Sequence, residues 1–229
     1  MKIQIPEDVG RSPLMCQGGY AVLTDLLEPG RLQDLLEEAV RCSSQVQETW
    51  TARSDAEEER GGNPARRFLT AAGGSLQAAL YLSAGMREVL SAIAGLTVVP
   101  TGKGGTFTYY VRPGDFLTIH RDIVTCDLAV ITCLHDDGGA GSGGKLCLYP
   151  ERLLEPLSAI RAEPAKSARL LRLQPGHTLV LFGGVVPHGV LPVVPGQSRL
   201  VSVLCYRVAR KLNNLAKRVS WMTPALRER

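Results

Sequence analysis

Between Thr106 and Val208 the chain repeats one pattern: a short run of β-branched, aromatic or aliphatic residues, then a turn rich in Gly or Pro. The runs fall at 106–112, 116–122, 127–134, 145–149, 170–173, 178–182, 186–194 and 200–208. Runs this short suit strands rather than helices, and eight of them at this spacing predict a sandwich or barrel.

The first 95 residues read differently. A strand is expected at 20–24, then a helix over 31–42, where Leu32, Leu35, Leu36, Ala39 and Val40 form an apolar stripe that needs a sheet to cover. A second helical region spans 75–94, with Leu76, Ala79, Leu80, Met86, Val89, Leu90 and Ile93 as its apolar face and Gly85 as a possible break. From 44 to 64 the composition turns polar, including an acidic run at 57–59, and reads as an exposed loop: either a lid or an ordinary insertion. The expected organisation is one domain over 1–229, with helical support in 1–95, a mainly β core over 96–210 and a tail over 211–229. In that tail Trp221 and Met222 either pin to the core or reach a partner chain.

Two loops interrupt the strands. The Gly-rich stretch 136–144 precedes Lys145, but Leu146 stands where a phosphate-binding loop needs Ser or Thr, and a strand follows instead of a helix. It reads as a turn. The segment 151–166 is a Pro-interrupted crossover with a short helical turn expected at 152–157.

The chemistry concentrates in the run Thr108–Asp122, TYYVRPGDFLTIHRD. Side chains alternate faces along a strand, so His120 and Asp122 share one side and Arg121 points away. His188 follows 66 residues after Asp122, flanked by Val185, Val186, Val190 and Leu191. Two His and one carboxylate on one face of an ion leave positions open, the facial arrangement of non-haem Fe(II) oxygenases. Arg199, 11 residues after His188, opens an apolar strand. Its planar guanidinium suits a bidentate pair with a carboxylate, such as the far end of a dicarboxylic oxo-acid.

These fragments, with Gly114-Asp115, Gly143-Gly144-Lys145-Leu146, Gln174-Pro175-Gly176 and Val190-x-Pro192-Val193, resemble the 2-oxoglutarate and Fe(II)-dependent dioxygenases, in their prolyl-4-hydroxylase-like branch. The resemblance covers roughly 105–208. It implies a jelly-roll, cupin-like double-stranded β-helix packed against the N-terminal helices. It also implies Fe(II), 2-oxoglutarate and O2 as cofactor and co-substrates, with succinate and CO2 as by-products. His120, Asp122 and His188 would be the metal and catalytic set, and Arg199 the oxo-acid anchor. Family members that halogenate carry a small residue in place of the Asp, so Asp122 favours hydroxylation.

Tyr110, ten residues before His120, sits where the family often places a phenol that bonds the oxo-acid, although any buried Tyr needs a partner for its OH. Thr132 or Cys133 would line the same pocket, and strand parity alone leaves both open. Arg207 shares a face with Arg199 if the strand carries no bulge. It or Arg112 would meet an acidic substrate group, unless both are solvent-facing strand ends. His135 and His177 read as exposed loop residues.

The net charge of +4, from 26 basic and 22 acidic residues, does not single out nucleic acid as a partner. The alkylated-nucleic-acid repair relatives place a second Arg six residues after the anchor, and Cys205 stands there. Six cysteines without a C-x-x-C pair read as small buried hydrophobes in a reducing compartment, and no apolar leader or long apolar run appears, so a cytoplasmic protein is expected. The expected substrate is a small molecule such as an amino acid or peptide-derived metabolite. The alternatives are a protein prolyl-type hydroxylase, a nucleic-acid demethylase and a non-catalytic cupin-like metal-binding protein. Oligomeric state is not legible.

Overall fold

The computed structural model describes residues 3–53, 60–102, 104–139 and 143–209. The acidic run at 57–59, the centre of the Gly-rich loop and the tail with Trp221 and Met222 lie outside the described residues.

Two short helices open the chain, α1 (Glu7–Gly10) and α2 (Pro13–Cys16), neither expected from its polar start. Ser12 caps α2 by accepting a hydrogen bond from the Met15 amide at 3.3 Å. Strand β1 (Tyr20–Leu23) and helix α3 (Pro29–Cys42) follow close to their expected positions. On α3, Leu35 and Ala39 are buried, whereas Val40, expected on the same stripe, is exposed. Glu38 takes an inward place instead, for a reason set by the next helices.

Strand β2 (Gln47–Thr51) lies within the stretch expected to be loop, and β3 (Arg66–Ala72) was not foreseen. Helices α4 (Ser75–Leu82) and α5 (Ala84–Ala94) divide at Ser83, not Gly85, because the Ser83 hydroxyl accepts from the Met86 amide and starts a new helix. The Glu38 carboxylate, 5% exposed, accepts from the Leu76 and Gln77 amides at 2.7 and 2.9 Å, so α3 caps the N-terminus of α4. Gln77 then donates to the Thr106 carbonyl and to Ser202 Oγ, tying α4 to the sheet.

The remaining elements are β4 (Val98–Pro100), β5 (Thr106–Tyr110), β6 (Phe116–His120), β7 (Leu128–Asp136), β8 (Leu146–Leu148), α6 (Leu157–Ala162), β9 (Arg169–Leu171), β10 (Thr178–Leu181), β11 (His188–Val190) and β12 (Arg199–Val208). The helical turn expected at 152–157 lies further on, as α6. Pro156 occupies its N-cap, and proline is tolerated at a helix start but not inside one.

All described pairings are antiparallel, in the order β1-β10-β7-β12-β5-β3-β6-β11-β8-β9, with β2 on β3 and β4 on β12. The sheet curls on itself so that strands from both ends of this order face one interior, the mainly β architecture expected. β3 joins the two halves, pairing with β5 over Leu69–Ala72 and with β6 at Arg66 and Arg67. The N-terminal region therefore supplies strands as well as helical support. Outside the curl, Leu35 and Ala39 pack on Phe107, Tyr109, Leu134 and Leu200, and Tyr109 donates its hydroxyl hydrogen to the Ala39 carbonyl at 2.6 Å.

Cys126 and Cys205, 79 residues apart, are joined by a disulfide, against the expectation of a reducing compartment with most cysteines as small buried hydrophobes. Cys133 and Cys147 are free and buried. No helix among the described residues is long and apolar enough to cross a membrane.

Candidate metal centre and its cavity

His188 on β11 is the register partner of His120 at the end of β6, so two residues far apart in sequence become cross-strand neighbours. Their ring centroids are 4.3 Å apart. Asp122 lies just past the end of β6, and its amide donates to the Gly183 carbonyl at 2.8 Å. Asp122 Oδ1 lies 3.5 Å from His120 Nε2 and 3.7 Å from His188 Nε2. The three ligand atoms all fall within 4.8 Å of one another, as donors to a single ion must.

The imidazoles are oriented for that role. His120 Nδ1 lies 3.0 Å from the Thr118 carbonyl and His188 Nδ1 lies 2.9 Å from the Val186 carbonyl. A carbonyl only accepts, so each Nδ1 carries the proton and each Nε2 offers its lone pair. Burial, and then the neighbouring His120, push the His188 pKa down to about 4, so its ring is neutral at pH 7. Burial pushes the Asp122 carboxyl upward, but His188, His120 and Arg60 together outweigh it and hold it below the ordinary carboxylate range. Two imidazoles with oriented Nε2 lone pairs and one carboxylate fit a divalent transition metal such as Fe(II).

Two residues not singled out in the sequence hold Asp122. A Cβ at Gly183 would run into Asp122 Oδ2, so only glycine leaves that carboxylate room. Arg60 donates to the Asp122 carbonyl at 3.2 Å and to the Cys126 carbonyl at 3.0 Å, and pairs with Asp127 at 2.7 Å. It pins the turn from 122 to 127 from outside. It was missed because it sits in a polar stretch with no periodicity.

The triad opens into a cavity of about 370 Å³. Its walls come from alternate residues: Phe68 and Thr70 on β3, Thr106, Thr108 and Tyr110 on β5, Ala129 and Ile131 on β7, and Val201, Val203 and Cys205 on β12. Arg199 also lines it and is 1% exposed. Arg199 pairs in register with Tyr110 on one side and Asp136 on the other. Arg172 takes the Asp136 carboxylate at 2.6 Å, which leaves Arg199 without an ion pair among the described residues. One Arg199 nitrogen, Nη1, donates to the Gly144 carbonyl at 3.0 Å, and its buried Nε has no partner. A buried, unsatisfied guanidinium N–H beside an open cavity is what a carboxylate-bearing ligand such as 2-oxoglutarate would satisfy.

Tyr110 is 3% exposed, and burial raises its pKa to about 12 despite the nearby Arg199. It remains a phenol and therefore a hydrogen-bond donor. Parity on β7 separates the two candidates there: Cys133 follows Ala129 and Ile131 on the inward face and touches Arg199, whereas the Thr132 hydroxyl bonds Thr178 at 2.9 Å on the other face. Thr132 is thus not a cavity residue. Arg112 is not one either: it pairs with Asp115 and Glu48 at 3.3 and 2.8 Å. Arg207 keeps the inward parity of Arg199 but is exposed two residues beyond Cys205, outside the lining. Arg121 faces away, donating to the Val185, Leu153 and Glu155 carbonyls. His135 is exposed and bonds Ser198. The Cys126–Cys205 disulfide lines the cavity, with Cys126 Sγ 3.7 Å from Asp122 Oδ2, a contact rather than a hydrogen bond because the sulfur carries no proton.

No protein-family model matches the sequence, and no curated relative matches it. Solved structures do. A prolyl-4-hydroxylase from Pseudomonas putida is similar with a TM-score of 0.55 and 19% identity, over 86% of this chain and 96% of that one. A prolyl hydroxylase from Trichoplax adhaerens, in complex with a hypoxia inducible factor oxygen degradation domain peptide fragment, gives 0.59 and 16% over 92% and 90%. HygX from Streptomyces hygroscopicus, with nickel and 2-oxoglutarate bound, gives 0.60 and 12% over 90% and 88%. The chain has the fold of the 2-oxoglutarate and Fe(II)-dependent oxygenases, the fold its motifs imply.

Proposed function

We propose that a chain with this fold and this cavity is a 2-oxoglutarate and Fe(II)-dependent oxygenase that hydroxylates an unactivated C–H bond of a small molecule, such as an amino acid or peptide-derived metabolite. The observation that carries the reading is the pairing, in one cavity, of the His120–Asp122–His188 triad with a buried Arg199 that has no carboxylate partner among the described residues.

His120 and His188 would hold Fe(II) through Nε2, and Asp122 through its carboxylate. Arg199 would grip the far carboxylate of 2-oxoglutarate, with the Tyr110 phenol as a second donor. Bound there, iron and 2-oxoglutarate supply the O2-activating and oxidising chemistry, with the oxo-acid leaving as succinate and CO2. Phe68, Ile131, Val201 and Val203 line the cavity with apolar surface that excludes water from the reacting C–H bond. A space of about 370 Å³ is of the size that holds a metabolite rather than a folded partner.

Anaerobic titration of the Fe(II)-loaded protein with 2-oxoglutarate tests this through the visible metal-to-ligand charge-transfer band. A band, followed by succinate release on admitting O2, supports the oxygenase. Bound iron without a band would instead favour a cupin-like metal-binding protein without turnover.

A further inference from the structure

Arg66 is a second cation in the same cavity, and the proposed chemistry does not use it. β3 presents Arg66, Phe68 and Thr70 on its inward face, and all three line the cavity with the triad and Arg199. The backbone at Arg66 is fixed on both sides, by Thr51 of β2 and by Leu117 of β6, three residues before His120. The guanidinium is therefore carried by a rigid strand, not a mobile loop.

Its surroundings leave it unmatched. Arg66 Nε is buried with no hydrogen-bond partner, and among the described residues the side chain makes no ion pair. The neighbouring acids are committed elsewhere: Asp115 to Arg112 and Arg67, and Glu48 to Arg112. Among the described residues Asp122, a triad residue, is the one acid in the lining. With Fe(II), 2-oxoglutarate and Asp122 in place, Arg199 brings the site to neutrality, and Arg66 stands one positive charge over. A cation half-removed from water, in a cavity walled mainly by apolar groups, is stabilised by an anion that hydrogen-bonds it.

We infer that Arg66 is the substrate anchor, and that the substrate enters with a free carboxylate which pairs with it. This rests on the oxygenase reading and narrows it to anionic substrates. The acidic group that Arg112 or Arg207 was expected to meet finds its partner on β3.

The test uses the full chain loaded with Zn(II) and 2-oxoglutarate, and matched pairs of amino acids and dipeptides in free-acid and carboxamide forms. Saturation-transfer NMR reads their binding to wild type, Arg66→Gln and Arg66→Lys. The expected result is binding of acid forms over amides, weakened roughly tenfold to a hundredfold in Arg66→Gln, the range of a charge-assisted hydrogen bond, and partly kept in Arg66→Lys. The anaerobic Fe(II)–2-oxoglutarate band should saturate at the same 2-oxoglutarate concentration in all three proteins, which also shows the variants are folded. A wild-type band together with equal binding of acids and amides, or binding of neither, overturns the anchor alone. A band lost in Arg66→Gln would assign Arg66 to the oxo-acid and overturn it too. No band in the wild type defeats the oxygenase reading, and this inference with it.

Discussion

Tyr110 stands directly opposite Arg199 across the β5–β12 pair, and the guanidinium carbon lies 5.9 Å from the centre of its ring. The ring thus flanks the anchor while its hydroxyl remains a donor. Arg199→Ala is expected to raise the 2-oxoglutarate concentration needed for the charge-transfer band by tens to a hundredfold, as loss of about 2–3 kcal/mol of charged hydrogen bonding requires. Arg199→Lys should recover little, because an ammonium lacks the planar fork. Tyr110→Phe should cost about 1 kcal/mol. Equal loss in both variants would contradict the division of labour between them.

Gly183 accepts a backbone hydrogen bond from Asp122 and leaves its carboxylate room, but supplies no donor atom to an ion. Gly183→Ala would force Asp122 aside, and Fe(II) affinity should fall about tenfold to a hundredfold although no donor atom is removed. Gly30→Ala, where an added Cβ meets nothing, is the control. Competitive titration against a metallochromic chelator reads both. Unchanged affinity in Gly183→Ala would mean that Asp122 does not need its position.

The metal-free protein should lose stability on acidification before its carboxylates titrate. The folded-state pKa of His188 is about 4, below its ordinary value of 6.5, so between those pH values the unfolded chain binds a proton that the folded one refuses. Stability falls as pH drops through that window, by on the order of 3 kcal/mol for a shift of this size. Asp122, held below the usual carboxylate range, adds a further loss at lower pH. Thermal melts of the chelated protein from pH 7 to 4.5 check this. The slope should shrink in His188→Gln, and a flat wild-type profile would contradict it.

Glu38→Ala should destabilise the fold without touching the site. It removes two hydrogen bonds from the start of α4, at a cost of about 1–3 kcal/mol in chemical denaturation. The concentration of 2-oxoglutarate that saturates the band should stay the same, since α4 contributes no residue to the cavity lining. A shift in that concentration would reveal coupling between the helical layer and the metal centre.

The strands from β5 onward were legible because Gly and Pro punctuate them, and the triad because two ligands lie in one short run. β3 was not, for a physical reason. Its inward residues Arg66, Phe68 and Thr70 line a cavity rather than a dry core, so the apolar alternation that marks a half-buried strand is broken. β2, reading QETWT, lies off the main path of the sheet and buries no residue fully. Arg60 and Arg66 both fell in stretches without a clear apolar period, and the place of each is set by residues dozens of positions away: the Asp122 carbonyl for Arg60 and the register with Leu117 for Arg66. The choice between Thr132 and Cys133 needed the actual register, and the Cys126–Cys205 bond joins positions with no spacing motif. Val40 failed as a core residue because Glu38, two residues earlier and on the opposite side of the helix, was needed inside as a cap.

The pairing of His188 with His120 also bears on how the molecule is assembled. The two rings meet only when strands separated by 68 positions have found each other, so no pair of imidazoles exists for an ion to grip in the unfolded chain. Such closure is late and slow compared with helix formation. An ion that bound across this rung would capture the closed sheet and not its precursors, and would stabilise the finished fold by mass action.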